Sequence, residues 1–596
     1  MRPAILALNE TGLALARRLA PLIDGEVHAR APLDDADLSF AETIAHCRGL
    51  FTDGQPIVGI CAAGILIRAI APLLDDKQSE PPVLALSEDG RSVVPLLGGH
   101  HGANDLARRI AEALGAHAAV TTAGDLRFGV ALDQPPEGWT LANPADAKPV
   151  MAALLAGQSA KLDGEADWLA ASQLPFSENG TISLVATLRN ESGSDNRLVY
   201  HPRRLAIGLG CERDADPAEV ETLLQNTLAE AGLSPHAIAC ITSIDVKADE
   251  PAILAIAEKL GVPVRFFTAE RLEQETPRLA NPSDVVFDEV GCHGVAEGAA
   301  LAAAGPDGTL TVAKTKSRRA TCAIAEAPGI IDPQNIGRAR GSLSIVGIGP
   351  GTPDWLTPHA ATALESADAI VGYGLYLDLV SERIAGKDHF RAPLGAEEER
   401  VRQALNLAAF GRDVALISSG DAGIYAMATL VFECLDAGGL DPGAERVAID
   451  IAPGISAMQA AAARAGAPLG HDFCTISLSD LLTPWEAIEK RLHAAAEGDF
   501  VIAFYNPVSK RRRTQLAAAK EILLQHRPAD TPVILARNLG RDGEQVTTVP
   551  LEQLNVDDVD MLTLVLVGAS STRQVKAAGR TWTYTPRGYE KKRTSS

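Results

Sequence analysis

The sequence predicts a multidomain α/β protein, in which two small α/β domains precede a larger, two-lobed α/β domain. The chain has 596 residues, well beyond the roughly 250–300 residues at which a single hydrophobic core stops growing. Short apolar runs alternate with helical patterns along most of it, which indicates parallel sheets. The stretch 327–341 mixes Pro and Gly without an apolar period, so it predicts a linker between two parts.

The order of these patterns divides the chain into segments. Strand-like runs such as "PAILAL" and "PIVGICAAG" alternate with helical runs such as "GANDLARRIAEALG", whereas Pro, Gly, Asn and Ser clusters interrupt the pattern in the middle region. The predicted segments are an α/β domain at 1–128, a less regular middle region at 129–203, a second α/β domain at 204–326, the linker at 327–341, the larger α/β domain at 342–580 and a polar tail at 581–596.

The composition narrows the class of protein. The formal net charge is −22 and 46% of the residues are hydrophobic, which excludes a general affinity for nucleic acid or for an anionic membrane surface. Asn9 and Glu10 interrupt the first apolar run before a signal-peptide core forms, and no apolar stretch approaches ~18 residues. We therefore expect a cytoplasmic protein.

The eight cysteines are scattered along the chain, and no two of them have a C-x-x-C spacing. That spacing is typical of zinc knuckles and iron–sulfur sites, so the sequence predicts no metal site. Single cysteines in a large chain are also typical of a reducing compartment.

A glycine-rich turn follows an apolar run in "LSIVGIGPGTPDWLT", at Gly347, Gly349, Pro350 and Gly351. The turn lacks the lysine of a phosphate-binding P-loop, and the prolines and the early third glycine break a dinucleotide fingerprint. Pyrophosphate binding is therefore not predicted. Taken alone, the motif is typical of an ordinary strand-end turn.

Three more strand ends in the same domain carry special turn residues: "ISSGDAGIYAMA" (417–428), "APGISAMQAAAA" (452–463) and "FYNPVSKRR" (504–512). Ligands of open α/β sheets bind at the carboxyl ends of strands, so four such ends predict one cleft. One acidic residue and several exposed backbone groups suit a ligand with hydroxyls and an amine but no phosphate. S-adenosylmethionine fits this description.

Residues ~342–575 resemble the tetrapyrrole (corrin/porphyrin) methyltransferases, because these four motifs occur in that family's order. "GYGLYLDLV", "SLSDLLTPW" and "YNPVSKRRRTQL" resemble the precorrin-3B C17-methyltransferase branch most closely. The resemblance implies S-adenosylmethionine as cofactor, a precorrin or cobalt-precorrin as substrate, ring contraction with C17 methylation, and a homodimer. A methyltransferase acting on a modified protein histidine is an alternative that the last two motifs disfavour.

The resemblance also implies which residues contact the cofactor. They are Pro350, Ser419, Gly420, Asp421, Ile424, Ser456, Ala457 and Asn506. Methyltransferases that act earlier on the pathway carry an aspartate where this chain has Gly374, so no general base is assigned to methyl transfer. In-line displacement on a sulfonium depends chiefly on positioning, which can supply most of the acceleration.

Four consecutive cations follow the fourth motif: Lys510, Arg511, Arg512 and Arg513. They are either the solvated start of a helix or a clamp for the several carboxylates of a precorrin, which arginine binds bidentately. The sequence leaves both interpretations open.

Residues ~1–325 resemble cobalt-precorrin-5A hydrolase, through stretches such as "VVPLLGGHHGANDLARRIAEALGA" and "GCHGVAEGAALAAAG". The resemblance implies opening of a lactone and release of a two-carbon fragment. Lactone opening needs a base and donors for the developing oxyanion, and the candidates are Lys247, Glu250 and Glu297. Each also has a purely structural interpretation, and a non-catalytic tetrapyrrole-binding module remains the alternative for this half.

Overall fold

The computed structural model describes residues 2–33, 36–74, 80–121 and 127–589. Contacts between residues divide the chain into two compact units, Met1–Ile244 with Glu250–Gly337, and Asp245–Asp249 with Arg338–Ser596. In the described part of the chain, no helix is long and apolar enough to cross a membrane. Every sheet carries helices from the same stretch of sequence, which confirms the α/β class.

The first sheet of unit one has seven strands. They are β1 (Ala4–Ala7), β2 (Glu26–Arg30), β3 (Leu38–Phe40), β4 (Ile57–Ile60), β5 (Val83–Leu86), β6 (Ser92–Leu97) and β7 (His117–Ala118), and the helices are Glu10–Ile23, Thr43–Thr52, Ala63–Ile70 and Ala103–Leu114. The strand order is β3-β2-β1-β4-β5-β6-β7, and only the β5–β6 pair is antiparallel. Strands β1, β4 and β5 are wholly buried, as expected where helices cover both faces of a parallel sheet.

The middle region forms a sheet of its own, although the sequence predicted an irregular segment. Its strands are β8 (Trp139–Leu141), β9 (Ala160–Asp163), β10 (Ile182–Ala186) and β11 (Arg197–Pro202), in the order β8-β11-β10-β9, and its helices are Ala147–Leu155 and Asp167–Ala170. The wholly buried Tyr200 donates its hydroxyl hydrogen bond to the Leu132 carbonyl at 2.7 Å. Strands of three to six residues are too short to show a clear period in the sequence.

The third sheet of unit one holds five strands. They are β12 (Leu205–Cys211), β13 (Ile238–Ile244), β14 (Val264–Phe267), β15 (Thr309–Lys316) and β16 (Ala320–Glu326), in the order β14-β13-β12-β16-β15, with helices Pro217–Ala231, Pro251–Leu260, Ala269–Glu273, Asp284–Val290 and Val295–Ala304. A Cβ at Gly208 would lie 1.8 Å from the Ala296 carbonyl oxygen. The glycine therefore lets the alanine-rich helix Val295–Ala304 lie directly on β12.

The segment 327–341, which the sequence predicts to be a linker, is partly packed against the preceding domain. Ala327 and Ile331 are buried, and their backbone N–H groups donate to the carbonyls of Arg204 and Arg203. The first part of this segment therefore packs with unit one.

The first lobe of unit two is a five-stranded parallel sheet. Its strands are β17 (Ser342–Gly347), β18 (Ala369–Tyr373), β19 (Asp388–Ala392), β20 (Asp413–Ser418) and β21 (Ala448–Ala452), and its helices are Pro358–Ser366, Gly374–Leu379, Glu397–Ala409, Met427–Ala437 and Ala457–Ala465. The order β19-β18-β20-β17-β21 places β17 at the centre of three strand ends that carry the predicted turns.

The second lobe is built on a mixed sheet and a small three-stranded sheet. Its strands are β22 (Gly466–Ala467), β23 (Phe473–Ser477), β24 (Val501–Tyr505), β25 (Pro532–Arg537), β26 (Gln545–Pro550), β27 (Thr563–Val567), β28 (Arg573–Ala577) and β29 (Arg580–Tyr584), and its helices are Trp485–Glu497 and Thr514–Leu524. The orders are β23-β24-β27-β25-β26 and β22-β29-β28. Strand β29 continues to Tyr584, so the ordered domain extends four residues past the predicted boundary.

Candidate functional site

The ends of three parallel strands of unit two meet backbone to backbone. A Cβ on Gly347, at the end of β17, would lie 2.7 Å from the Gly420 carbonyl oxygen and 2.8 Å from the Gly454 nitrogen. A Cβ on Gly454 would lie 2.1 Å from the same Gly420 oxygen. Side chains do not fit at these positions. The glycines of the first three motifs therefore meet at one junction, at the strand ends where the sequence predicts a cleft.

The turn after β17 is joined to the turn after β20 by a pair of backbone hydrogen bonds. Gly420 N–H donates to the Gly349 carbonyl at 2.8 Å, and Gly349 N–H donates to the Gly420 carbonyl at 3.1 Å. Both glycines have φ near +75°, at 74° and 76°. This left-handed conformation favours glycine. It carries the chain to Pro350, the cofactor residue predicted in this turn.

Asp421 links the second turn to the third. Its Oδ1 accepts the Gly423 N–H at 2.8 Å, and its Oδ2 accepts the Gly454 N–H at 3.1 Å. The carboxylate therefore holds the shape of the turn, and the half-buried Ile424 follows it. The resemblance implies that Asp421 also contacts the cofactor, and in the structure each of its oxygens already accepts one backbone hydrogen bond.

Ser456 begins the helix that follows the third turn. It is 1% exposed and forms a capping box with Gln459, whose backbone N–H donates to the Ser456 Oγ. The next residue, Ala457, places its backbone nitrogen 3.8 Å from where a Gly420 Cβ would lie. Ser456 and Ala457 thus stand beside the turn that carries Ser419, Gly420 and Asp421.

The fourth turn, after β24, belongs to the second lobe. Asn506 has φ +48°, donates from Nδ2 to the Ser477 Oγ at 3.2 Å, and accepts from Arg512 Nη2 on its carbonyl at 2.7 Å. The preceding Tyr505 accepts the Met458 N–H on its hydroxyl, and burial raises the pKa of this tyrosine. The fourth turn is thereby tied to the helix that Ser456 caps.

Tyr425 is a further residue of this site, and sequence reasoning did not single it out. It has φ +51°, its ring centroid lies 5.2 Å from that of Tyr505, and its hydroxyl donates to the Thr475 carbonyl at 3.1 Å. Tyr425 follows the β20 turn in the first lobe, so these contacts join both lobes at the site. A left-handed conformation of a bulky residue leaves no signal in the sequence.

Arg541, which follows strand β25, forms hydrogen bonds to two of these turns. Its Nε donates to the Pro350 carbonyl at 2.7 Å, and its Nη2 donates to the Ser419 Oγ at 2.9 Å. A Cβ on Gly351 would lie 2.5 Å from the Arg541 Cγ, so the glycine makes room for the arginine. Burial lowers the pKa of Arg541. One guanidinium thus fixes two turns that hold predicted cofactor residues.

The four consecutive cations have different surroundings. Arg512 donates to the Asn506 carbonyl and lies 4.0 Å from Asp480, while Arg513 is paired with Asp557 at 2.6 Å. The side chains of Lys510 and Arg511 are exposed and make no hydrogen bond or ion pair with any residue that the structure describes. The helix begins only at Thr514, so the four cations lie in the loop before it.

The hydrolase candidate Glu297 is a buried, fully bonded carboxylate. It is 1% exposed, and its Oε2 accepts the N–H groups of Ala280 and Asn281 at 2.8 and 3.0 Å. Its Oε1 accepts the Asn281 Nδ2 and the Lys314 N–H, both at 2.8 Å. Burial by itself raises the pKa of Glu297, but these four hydrogen bonds hold it below its usual value.

The other two hydrolase candidates lie in different surroundings. Lys247 is half-buried in the short 3₁₀ turn Asp245–Lys247. Glu250 is wholly buried at the start of the helix Pro251–Leu260, and its Oε2 lies 3.6 Å from Arg213 Nη1. Glu250 and Glu297 are therefore both buried carboxylates that do not face solvent.

Among the residues that the structure describes, no group of three or more His, Cys, Asp or Glu side chains is placed so that it could hold a metal ion. The site in unit two is built from backbone groups, two serines, two tyrosines, an aspartate, an asparagine and an arginine.

Three family models match the chain. Residues 342–555 match the tetrapyrrole (corrin/porphyrin) methylases, residues 205–325 match the C-terminal part of cobalamin synthesis protein G, and residues 45–125 match its N-terminal part. Both resemblances found in the sequence are confirmed at the level of these families.

Individual relatives cover the methylase region. A precorrin-3B C(17)-methyltransferase from Sinorhizobium sp is 45% identical over 252 residues, which are 42% of this chain and 97% of the relative. A cobalt-factor III methyltransferase from Priestia megaterium is 44% identical over 258 residues, and the match spans 43% of this chain and only 46% of that relative. The crystal structure of the methyltransferase CobJ is 44% identical, covers 41% of this chain and 100% of its own, and has a TM-score of 0.38.

The fold, the four turns and these matches define the class. The chain belongs to the tetrapyrrole (corrin/porphyrin) methylase family, and its first half matches the models of both parts of cobalamin synthesis protein G.

Proposed function

We propose that the chain is a bifunctional enzyme of corrin-ring synthesis. Its methylase region transfers a methyl group from S-adenosylmethionine to C17 of precorrin-3B, or of the cobalt counterpart, with ring contraction. Its first half opens the lactone that ring contraction leaves, at the later cobalt-precorrin-5A step. The observation that carries the proposal is the backbone junction of Gly347, Gly420 and Gly454, within a region 45% identical to nearly the whole of the Sinorhizobium C17-methyltransferase.

The residues of the junction suit S-adenosylmethionine. Side chains are excluded at Gly347 and Gly454, so the turns pack backbone against backbone and bring the predicted cofactor residues around one junction. When bound, the cofactor supplies an electrophilic methyl group on a positive sulfonium. Pro350, Ser419, Gly420, Ile424, Ser456, Ala457 and Asn506 would line it, and Asp421 would hold two of the turns in place.

The chain's own contribution to methyl transfer is positioning. Arg541 fixes the Pro350 and Ser419 turns to each other, and Tyr425 ties them to the second lobe through Thr475. A macrocycle carbon conjugated with a pyrrole nitrogen is already nucleophilic, so alignment with the methyl group supplies most of the acceleration. We assign no general base to this step.

The proposed substrate carries several carboxylates, and two of the four predicted cations are available to them. Lys510 and Arg511 are exposed at the fourth turn, whereas Arg512 and Arg513 are engaged with Asn506 and Asp557. We therefore propose Lys510 and Arg511 as the outer contacts of a precorrin carboxylate. Arg512 then acts by shaping the Asn506 turn.

We further propose a homodimer formed through the methylase region and a cytoplasmic location, both of which rest on the family resemblance. Light scattering of the purified full-length chain tests the dimer directly. A mass equal to one chain at micromolar concentration would contradict it.

Two reactions test the proposed activities. The full-length protein is incubated with S-adenosylmethionine and either metal-free precorrin-3B or cobalt-factor III, and product mass and visible spectrum are followed. Separately, it is incubated with cobalt-precorrin-5A, and acetaldehyde is measured. A tetrapyrrole that gains one methyl group supports the first activity, and released acetaldehyde supports the second. Absence of methylated product from both substrates rejects the methyltransferase, whereas absence of acetaldehyde leaves the first half as a tetrapyrrole-binding module.

A further inference from the structure

In unit one, the carboxylate of Glu273 contacts both the ring and the backbone N–H of His293. His293 Nδ1 lies 2.9 Å from Glu273 Oε1 and 3.0 Å from its Oε2. The backbone N–H of His293 also donates to Glu273 Oε2, at 3.0 Å. The carboxylate therefore fixes both the position of the residue and the orientation of its ring.

This coupling sets the proton arrangement of the imidazole. A carboxylate at Nδ1 favours the tautomer that carries the hydrogen there, so the lone pair is on Nε2. The hydrogen bond from His293 also lowers the pKa of Glu273, which keeps this carboxylate ionised. The pair has the arrangement in which a carboxylate orients a histidine for general-base catalysis.

The Nε2 side of the ring faces an accessible region. The His293 side chain is 25% exposed, and its ring is stacked on Phe287 with a centroid distance of 4.6 Å. Nε2 lies 3.5 Å from Oδ1 of Asp284, whose side chain is 99% exposed. A water molecule or a substrate can therefore approach the exposed part of the ring, beside Asp284.

The loop beside the histidine is held by the residue that sequence reasoning had proposed as a base. The Ser283 N–H donates to the His293 carbonyl at 2.9 Å. Two and three residues before Ser283, the N–H groups of Asn281 and Ala280 donate to Glu297. All the oxygens of Glu297 are thus used to fix the loop that approaches His293.

We propose that His293 is the general base of the lactone-opening reaction and that Glu273 is its positioning residue. The substrate class is a cyclic ester on a carboxylated macrocycle. This proposal rests on the hydrolase activity proposed above, and it moves the base from Lys247, Glu250 and Glu297 to His293.

The step is an ordinary ester hydrolysis in which atoms and charges balance. His293 Nε2 takes a proton from water as the water oxygen bonds to the lactone carbonyl carbon. The tetrahedral intermediate then collapses, the ring C–O bond breaks, and the departing alkoxide takes the proton back from Nε2. The products of the hydrolysis are a carboxylic acid and an alcohol on the opened macrocycle, and His293 is again neutral. The alcohol then loses its O–H proton and becomes a carbonyl group as its carbon–carbon bond to the macrocycle breaks. The macrocycle carbon keeps the electron pair and takes up a proton, and acetaldehyde is released.

Variants of the full-length chain test this proposal with cobalt-precorrin-5A as substrate and acetaldehyde release as readout. His293→Ala is expected to lose at least about 100-fold in rate, the low end for removal of a general base. His293→Asn, which keeps an N–H for Glu273 but has no base, should be equally slow. His236→Ala, at an exposed histidine of the same unit, is the matched control and should keep the wild-type rate.

Chemical rescue separates catalysis from a structural role. Added imidazole should restore part of the rate of His293→Ala and none of the rate of His293→Asn, whose side chain fills the site. Glu273→Gln should lower kcat and leave KM unchanged. Hydrogen exchange in strands β12 and β16 verifies that each variant is folded.

The possible failures are distinguishable. If the wild type releases acetaldehyde and His293→Ala does so within about threefold of its rate, His293 is not the base while the hydrolase stands. A loss that imidazole does not restore gives His293 a structural role and also overturns the assignment. If the wild type itself releases no acetaldehyde, the hydrolase proposal and this assignment fall together.

Discussion

Gly349 and Gly420 exchange two backbone hydrogen bonds, at 2.8 and 3.1 Å, although they follow different strands of the methylase sheet. Strands β17 and β20 already pair in parallel up to this point, and the two glycines then turn into an isolated antiparallel bridge. The reversal requires left-handed backbone at both positions, which only glycine adopts at low cost. The glycine turn is thus one half of a two-turn structure that neither strand end forms by itself.

Gly454, which meets Gly347 and Gly420 at the backbone junction, gives the sharpest steric prediction. Gly454→Ala places a Cβ 2.1 Å from the Gly420 carbonyl oxygen, so the turns must separate. We expect loss of at least tenfold in affinity for S-adenosylhomocysteine, measured by calorimetry, because ~1.4 kcal/mol of strain is enough for that change. Gly329→Ala is the control, since its Cβ meets no atom within 4 Å. Unchanged affinity in Gly454→Ala would contradict the cofactor assignment.

Arg541 is predicted to act on cofactor affinity through the two turns that it bridges. Arg541→Ala removes charged donors from the Pro350 carbonyl and the Ser419 Oγ, and hydrogen bonds of this kind contribute ~1.5–3 kcal/mol each. The KM for S-adenosylmethionine should rise at least about tenfold, and Arg541→Lys should give a smaller rise. Steady-state kinetics with the tetrapyrrole held constant measure the effect.

Arg537 provides the comparison for Arg541. It lies at the end of β25 nearby in the chain, but its guanidinium is half-exposed and paired with Asp560 at 2.8 Å. An exposed pair contributes little, so Arg537→Ala should leave the KM for S-adenosylmethionine unchanged. An equal effect of both variants would mean that Arg541 acts only through its charge.

The two exposed cations of the fourth turn should affect the tetrapyrrole and not the cofactor. The double variant Lys510→Ala/Arg511→Ala should raise the KM for the tetrapyrrole several-fold at low salt, and high salt should reduce the difference. Lys490→Ala/Arg491→Ala removes the same exposed charges from the helix Trp485–Glu497 and serves as control. A salt-independent effect, or an equal effect of the control, would reject carboxylate binding by Lys510 and Arg511.

The first domain should lose stability in mild acid through His46. Its Nε2 lies 2.9 Å from His28 Nδ1, and burial together with His28 lowers its pKa to about 4. Glu26, 3.7 Å from the other nitrogen of His28, is the carboxylate facing this pair. Because the folded pKa lies below the unfolded value near 6.5, the stabilisation is present above pH ~6.5 and is lost as the pH falls towards 4.

The size of this effect follows from linkage. Between pH 7 and pH 5 the first domain should lose roughly 1 kcal/mol from His46, because the side chain is only half-buried and solvent screens part of the effect. Hydrogen exchange of the amides in β1 and β4 measures this loss. His46→Gln should flatten the dependence, whereas His117→Gln, at an exposed residue of the same domain, should not. A wild-type domain with equal protection at both pH values would contradict the neutral His46.

Much of the fold is predictable from the sequence because apolar runs and turn residues agree locally. "SLSIVG" predicts β17 and "DVALIS" predicts β20, since both are apolar runs that end at glycines or serines. The middle region is different, because its strands are short and its turns polar. The antiparallel pairing of β25 with β27 and β26 also depends on tertiary contacts that no local pattern encodes.

The residues of the candidate sites also divide into those that local sequence patterns predict and those that depend on the tertiary structure. The glycines at 347, 420 and 454 were predictable, because each follows an apolar strand and marks close backbone approach. The bridge from Arg541 to Pro350 joins residues that are far apart in the sequence, and Tyr425 owes its role to an unusual backbone conformation. Glu297 is a different case. The sequence motif suggests a catalytic base, whereas in the structure its two oxygens accept four hydrogen bonds that hold the surrounding backbone.

Transfer of a labelled methyl group tests the central claim most directly. Full-length protein is incubated with S-adenosylmethionine carrying a ¹³C methyl group and with precorrin-3B or cobalt-factor III, and the product is analysed by mass spectrometry and NMR. We predict one ¹³C methyl group on C17 of a ring-contracted macrocycle, and a much slower reaction with Gly454→Ala. An unlabelled tetrapyrrole from both substrates, or a label on any other carbon, would contradict the proposed methyltransferase.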